Sequence, residues 1–540
     1  MGQNNGQSQS TDRLGNTIYP DNRVYYLCRW PGIKVYGVKT QDAFSQQHGR
    51  VLIDGSGGRV TIQRAHKAIL SDEGGIIECK DADFLDCITA VEIKNYLSPH
   101  DPNVNLSKFE RTNFIIGDQI TKYFTNDNMY MHYKHDFHEF KQVVLENIGT
   151  INFGGCQFRN DDPTSFSANH DASRGTGIDA TDAMFSCHND GIPSGNSTTG
   201  CPNWSGTVFC LFQGLSFGIN SYTAGGAQNP DIGIQKANFV NNHDAINCGG
   251  GVARIFDNIF KYTSTSAPFP APSITHHHFI ECTFNEMTLI KDNTFTSDAS
   301  SSTNVRIENN ATAYNTKVMS NFFNNTNQLK QNATGVVCNG DNSNTEVECN
   351  RFNDPFNNAI KFMNGPVHEQ GDAFNEAGNI FLDGNGNPLT VCNYNGYQNI
   401  TALNTSPKFQ YFIVSFPIVP SCTNAGPNPI DPFEFSKSSR ESDCKIGCNG
   451  FHVGAQAIES RQNAVSIYPN PGTSIININW ANNIESSSTG ILIYNSTGTK
   501  VREYFTKINE INVSQFSIGI YFITVTLNNK PIQNIKFVKE

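Results

Sequence analysis

The chain has 540 residues, 16% of them charged and 37% hydrophobic, and a formal net charge of −11. That length suits two or three domains, and the acidic balance, with no basic stripe to neutralise phosphates, excludes a general nucleic-acid binder. The longest apolar stretch, residues 411–420, is about half a membrane span and holds Pro417. The 66 Asn, 45 Gly and 38 Phe point to tight turns around an aromatic-lined core, because Asn and Gly are poor helix formers.

Met1-Gly2-Gln3-Asn4-Asn5 has neither a charged n-region nor an apolar h-region. Residues 1–26 are therefore expected to be an N-terminal segment of a chain whose true start lies upstream. Short Gly-punctuated apolar runs follow: Ile33-Lys34-Val35-Tyr36, Arg50-Val51-Leu52-Ile53, Arg59-Val60-Thr61-Ile62, Ala68-Ile69 and Ile76-Ile77-Glu78-Cys79. They are too short for helices and predict strands of four or five residues.

From residue 112 a pattern recurs: a small or polar residue, any residue, then Phe. Its copies are Thr112-Asn113-Phe114, Cys156-Gln157-Phe158, Ala237-Asn238-Phe239, Asn258-Ile259-Phe260, Cys282-Thr283-Phe284, Asn321-Phe322-Phe323, Asn350-Arg351-Phe352 and Asn379-Ile380-Phe381. The last three are spaced by 29 residues, and the Gly/Ser/Asn-rich residues 194–200 read as an inserted loop in the longest gap. A unit of this length cannot bury its inward residues alone, whereas stacked units bury a continuous ladder. The pattern predicts a right-handed parallel β-helix over residues 27–404, about 12 to 15 coils long, with Phe323, Phe352 and Phe381 stacked inward. A β-sandwich also has many short strands but lacks a fixed Asn-x-Phe. The Asn of the motif is expected to occupy a left-handed turn position and to stack its amide from coil to coil. These opening strands resemble the first coils of secreted β-helix proteins of the Bacteroidetes, over roughly residues 27 to 400.

The 15 cysteines are an odd number and include no CxxC pair; Cys444 and Cys448 stand closest. A cysteine zinc site would need two short-spaced pairs. Cys282 and Cys349, beside apolar residues, are expected to act as small core residues, while others could pair in an exported protein.

Residues 405–462 are rich in proline, with a polar run at residues 436–443, and read as a cap and linker. Residues 463–540 differ in kind. Tyr468-Pro469-Asn470-Pro471 opens them; Ile476, Ile478 and Trp480 alternate with Asn477 and Asn479; a turn at Tyr494-Asn495 runs to Gly498; Gly519-Ile520-Tyr521-Phe522 and Lys536-Phe537-Val538-Lys539 follow. Six or seven strands in this length predict a small immunoglobulin-like β-sandwich. The ordered elements resemble the type A C-terminal sorting domain of the type IX secretion system, with Tyr468, Pro469, Asn470, Pro471, Gly498, Gly519, Tyr521, Lys536, Phe537, Val538 and Lys539 as its signal residues. Glu540 after Lys539 departs mildly from that pattern. The resemblance implies export across a Bacteroidetes outer membrane, recognition by the secretion machinery and release or anchoring at the cell surface. It also implies a preceding signal peptide.

No catalytic residue, cofactor or metal site is assigned from the sequence. His132, His135 and His138 would share a face only on a helix, and adjacent His276, His277 and His278 cannot share one strand face. Asp383-Gly384-Asn385-Gly386-Asn387 begins like a calcium loop, but Pro388 stands where Gly is needed and no acid closes it. Asp161-Asp162 lacks the companions of a polygalacturonase-type site. His243-Asp244 and His170-Asp171 are neighbours in sequence and are not thereby hydrogen-bonded pairs. The expected function is a secreted or cell-surface protein that binds extracellular polysaccharide or acts as an adhesin. The alternative is a polysaccharide lyase or glycoside hydrolase working along the groove. A row of exposed aromatics and Asn without a carboxylate pair would favour binding; a groove holding convergent Asp, Lys or Arg and His would favour the enzyme.

Overall fold

The computed structural model describes residues 10–11, 17–18, 32–117, 140–161, 174–190, 193–194, 203–204, 207–225, 229–263, 278–299, 302–310, 316–326, 333–353, 356–371, 377–382, 398–403, 405, 409–413, 423–425, 433–437, 465–468, 472–480, 489–495, 500–527 and 530–540. Every regular element among these residues is a strand. The chain divides into two compact units, residues 1–194 with 198–455 and residues 195–197 with 456–540.

In the first unit the strands recur in threes. Asp244–Gly249, Val252–Phe256 and Ile259–Tyr262 pair in parallel with His278–Thr283, Met287–Lys291 and Thr294–Ser297 respectively. The next three strands continue each ladder in the same sense. One of these ladders is an 11-stranded sheet running in chain order from Val60–Gln63 to Ile380–Phe381. Long parallel sheets built this way are compatible with a β-helix, and each set of three strands is called a coil below. Another ladder is longer: among the described residues it joins thirteen parallel strands, from Ile33–Tyr36 to Thr423–Ala425, a number within the 12 to 15 coils expected from the repeat.

The inward column of the eleven-stranded sheet is a stack of phenylalanines. Phe84, Phe114, Phe158, Phe212, Phe239, Phe260, Phe295, Phe323, Phe352 and Phe381 lie on consecutive strands in register. Ring centroids from Phe158 to Phe352 are 4.6–4.8 Å apart and nearly coplanar in orientation. Phe323, Phe352 and Phe381 stack as the repeat predicted, with Phe352 and Phe381 5.4 Å apart. The copy at Cys282-Thr283-Phe284 is not a rung. Phe284 is 63% exposed at a left-handed turn, and Phe295, eleven residues on, takes the inward place. Phe84 and Phe212 are rungs that the motif did not pick out.

The asparagines before the later rungs form a second column. Asn258, Asn293, Asn321, Asn350 and Asn379 are buried. Asn321 shows the pattern: its Nδ2 donates to Asn350 Oδ1 at 3.0 Å and to the Ile290 carbonyl at 2.9 Å, while its backbone N–H also donates to Asn350 Oδ1 at 3.0 Å. The column ends where Asn379 donates to the Tyr411 hydroxyl at 2.9 Å. Amide stacking is therefore as expected, but the left-handed residue is the one before each Asn: Asp257, Asp292, Ser320, Cys349 and Gly378. The left-handed corner turns the chain so that the following Asn side chain points into the stack.

Cys282 is buried, in keeping with a core role. Cys349 is not such a residue: it lies half-buried at a left-handed corner and is disulfide-bonded. The other described cysteines are free thiols, so its partner lies outside the described residues.

The second unit has a three-stranded and a four-stranded antiparallel sheet. Ile476, Ile478 and Trp480 alternate into its core with Ile491, Ile493, Ile511, Val513, Tyr521, Ile523, Val525 and Phe537. The three-on-one-face reading of Ile476, Ile478 and Trp480 is met by their burial.

Phe352→Ala should lower unfolding stability by about 3–5 kcal/mol, since it removes a ring gripped on both sides. Phe284→Ala should change it by no more than about 0.5 kcal/mol. Denaturant titration of the two variants separates a true rung from a false one.

Candidate functional site

The first ladder of each coil presents an outward column. Asp179, Asn220, Asn247, Glu281 and Arg306 stand in register on successive strands. Asn220 donates to Asp179 Oδ1 at 2.8 Å, and Asn247 donates to Asn220 Oδ1 at 3.2 Å. Arg306 bridges Glu281 at 3.5 Å and bonds Glu308, which also accepts from Asn339 at 3.1 Å.

Beside this column the stack brings together two histidines that the sequence keeps apart. Asp244 and His278 are partners across adjacent coils. His243 Nδ1 lies 3.0 Å from Asp244 Oδ2, and His278 Nδ1 lies 3.5 Å from Asp244 Oδ1. Burial pushes the Asp244 carboxyl upward, but the hydrogen bonds from His243 and His278 outweigh it and hold the group well below the usual carboxylate range. His278 also lies 3.8 Å from Glu281 Oε2, which links this trio to Arg306. His243–Asp244 is thus a bonded pair. His276, His277, His170, Asp171, His132, His135, His138, Asp162 and the loop from Asp383 to Asn387 lie outside the described residues. Asp161 pairs with Arg159 at 3.2 Å. Among the described residues no group of three or more His, Cys, Asp or Glu is arranged to hold a metal ion.

Among the described residues the exposed aromatics on this face are Tyr36 and Tyr222, which occupy one column separated by Asp72, Lys94, Glu146 and Thr181. They do not form a row. Gly249 follows Tyr222 in register, and a Cβ there would meet nothing closer than 3.6 Å. Its bareness is not forced by backbone crowding, and it leaves the flank of the Tyr222 ring open.

The second ladder carries a different group. On strand Thr345–Glu348, Val347 is buried, so Glu346 and Glu348 both project outward. Lys317 of the preceding coil meets Glu346 at 2.5 Å. Glu348 accepts from the Gly371 N–H at 2.9 Å. Burial, followed by the negative charge of Glu346, pushes the Glu348 carboxyl up to about 7; Lys317, the Gly371 N–H and His368 counter this in part. A carboxyl that keeps its proton near neutrality beside an ion-paired carboxylate has the chemistry of a general acid. Sequence reasoning passed over this pair, although Glu-Val-Glu with an inward Val is a readable signal.

In the second unit Tyr468 ends strand Val465–Tyr468 and is 57% exposed. Pro469, Asn470, Pro471 and Gly498 lie outside the described residues. Gly519 opens strand Gly519–Leu527, which pairs along its length with Lys530–Lys539. Tyr521 is buried, donates its hydroxyl proton to the Ser517 carbonyl at 2.9 Å and stacks on Phe537 with centroids 5.2 Å apart. Lys536 stands opposite Phe522 and Val538 opposite Ile520 in register. The Gly472 N–H donates to the Val538 carbonyl at 2.9 Å, and buried Lys539 bonds the Glu540 carbonyl.

Residues 466–540 match the family model described as the secretion system C-terminal sorting domain. Neither a curated protein nor a solved structure matches the chain. The sorting domain indicates a secreted or cell-surface protein that engages the type IX secretion machinery. No helix among the described residues is long and apolar enough to cross a membrane.

Glu348 gives a pH signature with a definite sign. The folded protein keeps its proton from the ordinary value of 4.5 up to about 7, whereas the unfolded chain releases it at the lower pH. Stability therefore falls as pH rises through that window, by at most about 3 kcal/mol. Glu348→Gln should remove this slope and melt above the parent at pH 8 while matching it near pH 4. Thermal melts across that range check the outcome.

Proposed function

We propose that the chain is the cargo and address of a type IX export route: a right-handed parallel β-helix over residues 27–404, a cap and linker over 405–462, and an immunoglobulin-like sorting domain over 463–540. The sorting-domain match carries the export reading. Tyr468, Pro469, Asn470, Pro471, Gly498, Gly519, Tyr521, Lys536, Phe537, Val538 and Lys539 are the residues the machinery reads. Right-handedness follows from the crossover rule for parallel strands.

At the cell surface the lateral face of the coils binds extracellular glycan. The in-register column of Asp179, Asn220, Asn247, Glu281 and Arg306, with Tyr222 alongside, supports this reading. It offers hydroxyl-matching donors and acceptors at a regular strand spacing and an open ring edge. A second reading, a polysaccharide-cleaving enzyme, is favoured by Glu348, which would protonate a leaving oxygen, with Glu346 as its carboxylate partner. The convergence of His243, Asp244, His278 and Arg306 also leans that way, though each acid there is already engaged by a cationic or imidazole group.

Binding and cleavage panels with the purified chain separate the two. Under the binding reading a glycan is retained without turnover, and Tyr222→Ala and Arg306→Ala each weaken retention by about tenfold, roughly 1.4 kcal/mol. Release of reducing or unsaturated ends that Glu348→Gln abolishes would replace binding by catalysis. For export, removing residues 531–540 deletes most of the last strand and buried Phe537. In a host with a type IX system and a supplied signal peptide, that chain should remain inside the outer membrane with its coil unit folded. Normal secretion of it would overturn the address assignment.

A further inference from the structure

Cys248 and Cys282 stand opposite each other on adjacent parallel strands, Asp244–Gly249 and His278–Thr283. Both are buried, and their sulfurs are 2.9 Å apart. Neighbouring strands lie about 4.8 Å apart, which places an in-register pair inside the Cα separation of about 4.4–6.8 Å that a disulfide spans. Register alone does not produce such a contact. Cys156 and Cys210, each one residue before the register partners Gln157 and Leu211, turn instead to carbonyls: Cys156 donates to Phe109 O and Cys210 to Phe153 O, each at 3.4 Å. Cys338 lies in the same column as Cys282, but Ile307 stands between them.

We propose that Cys248 and Cys282 are a cystine-forming pair that staples two adjacent coils when the chain folds in an oxidising compartment. The disulfide at Cys349 and the export signal at residues 466–540 both place the chain in such surroundings. The inference does not depend on the glycan reading. The oxidant is a disulfide, that of a thiol–disulfide oxidoreductase in the cell or of oxidised glutathione in the test tube. One cysteine thiolate attacks a sulfur of that disulfide and expels the other as a thiolate. The second cysteine thiolate then attacks the protein sulfur of the mixed disulfide and expels the remaining oxidant sulfur. One S–S bond forms in the protein and one breaks in the oxidant. The cysteines give up two protons and two electrons, and the oxidant ends as two thiols.

Both sulfurs are shut off from solvent in the closed stack, so exchange belongs to the stage at which the coils are still open. Once they close, burial pushes the Cys282 thiol far above its ordinary range, which leaves almost no thiolate to reverse or begin the reaction.

The test is disulfide mapping of the full chain. The protein is refolded in a buffer of oxidised and reduced glutathione, unfolded in denaturant with an alkylating agent and no reductant, and digested. A peptide pair joined through Cys248 and Cys282 is expected, with Cys79 and Cys338 alkylated. In Cys282→Ser, Cys248 should alkylate and no link from it should reach Cys338. If refolding fails, protein recovered after export and quenched directly with the alkylating agent answers the same question. Free alkylation of both Cys248 and Cys282, or a link from Cys282 to any other cysteine, would overturn the proposal.

Discussion

The stack of phenylalanine rings is the constraint to which the rest of the first unit conforms. Neighbouring strands sit about 4.8 Å apart, and ring centroids from Phe158 to Phe352 repeat at 4.6–4.8 Å. One ring per coil therefore fills its rung without a gap or a clash. The sequence distance between rungs is much less regular. Phe239 and Phe260 are 21 residues apart and Phe158 and Phe212 are 54 apart, yet both pairs stack at the same spacing. Extra chain must leave the coil between strands, because an added residue within a strand would turn every following side chain to the opposite face. The insertions are forced into loops by the ring column.

The asparagine column carries a polar version of the same logic. A buried corner must satisfy both its backbone groups and its side chain. Each Asn of the column from Asn258 to Asn350 does so by bonding its own amide to the next Asn and to a carbonyl of the preceding coil, and Asn379 bonds Tyr411 in place of a further Asn. The column exists only from Asn258 onward. Its earlier positions are Ala82, Thr112, Cys156, Cys210 and Ala237, small residues that fill the same corner with less hydrogen bonding. The corner thus tolerates either small apolar filling or a complete amide relay. An isolated Asn would leave an unpaired polar group in the core.

This division explains what could be read in the sequence. Repetition is legible because inward positions are constrained by identical neighbours, so the 29-residue spacing of Phe323, Phe352 and Phe381 survives as a pattern. Direction is not legible in a three-residue motif. Cys282-Thr283-Phe284 fits the letters, but Cys282 belongs to another ladder, and the chain turns outward at Phe284 through a left-handed residue. Likewise Asn-x-Phe did not disclose that the left-handed residue comes before the Asn, because Asp, Ser, Cys and Gly all serve there. The sorting segment was legible because its signal is local and ordered. The surface groups were not: Asp244 and His278 are 34 residues apart and meet only through coil register, and Glu348 owes its retained proton to burial and to Glu346.

Function in such an architecture is confined to the outward positions, where side chains in successive coils are free to differ. Two outward ladders of this chain use that freedom in opposite ways. On the first, Asp179 accepts from Asn220, Asp244 is held by His243 and His278, and Glu281 meets Arg306, so each acid there has a polar or cationic partner. On the second, two acids on one strand share a single lysine, and the surplus is relieved by a proton on Glu348. A ladder of partnered acids suits a neutral, hydroxyl-rich ligand lying along many rungs. A surplus acid holding its proton near neutrality suits a single chemical event at one rung. The chain therefore separates a long polar face from a single acid that keeps its proton, and the place of each is fixed by the ring column.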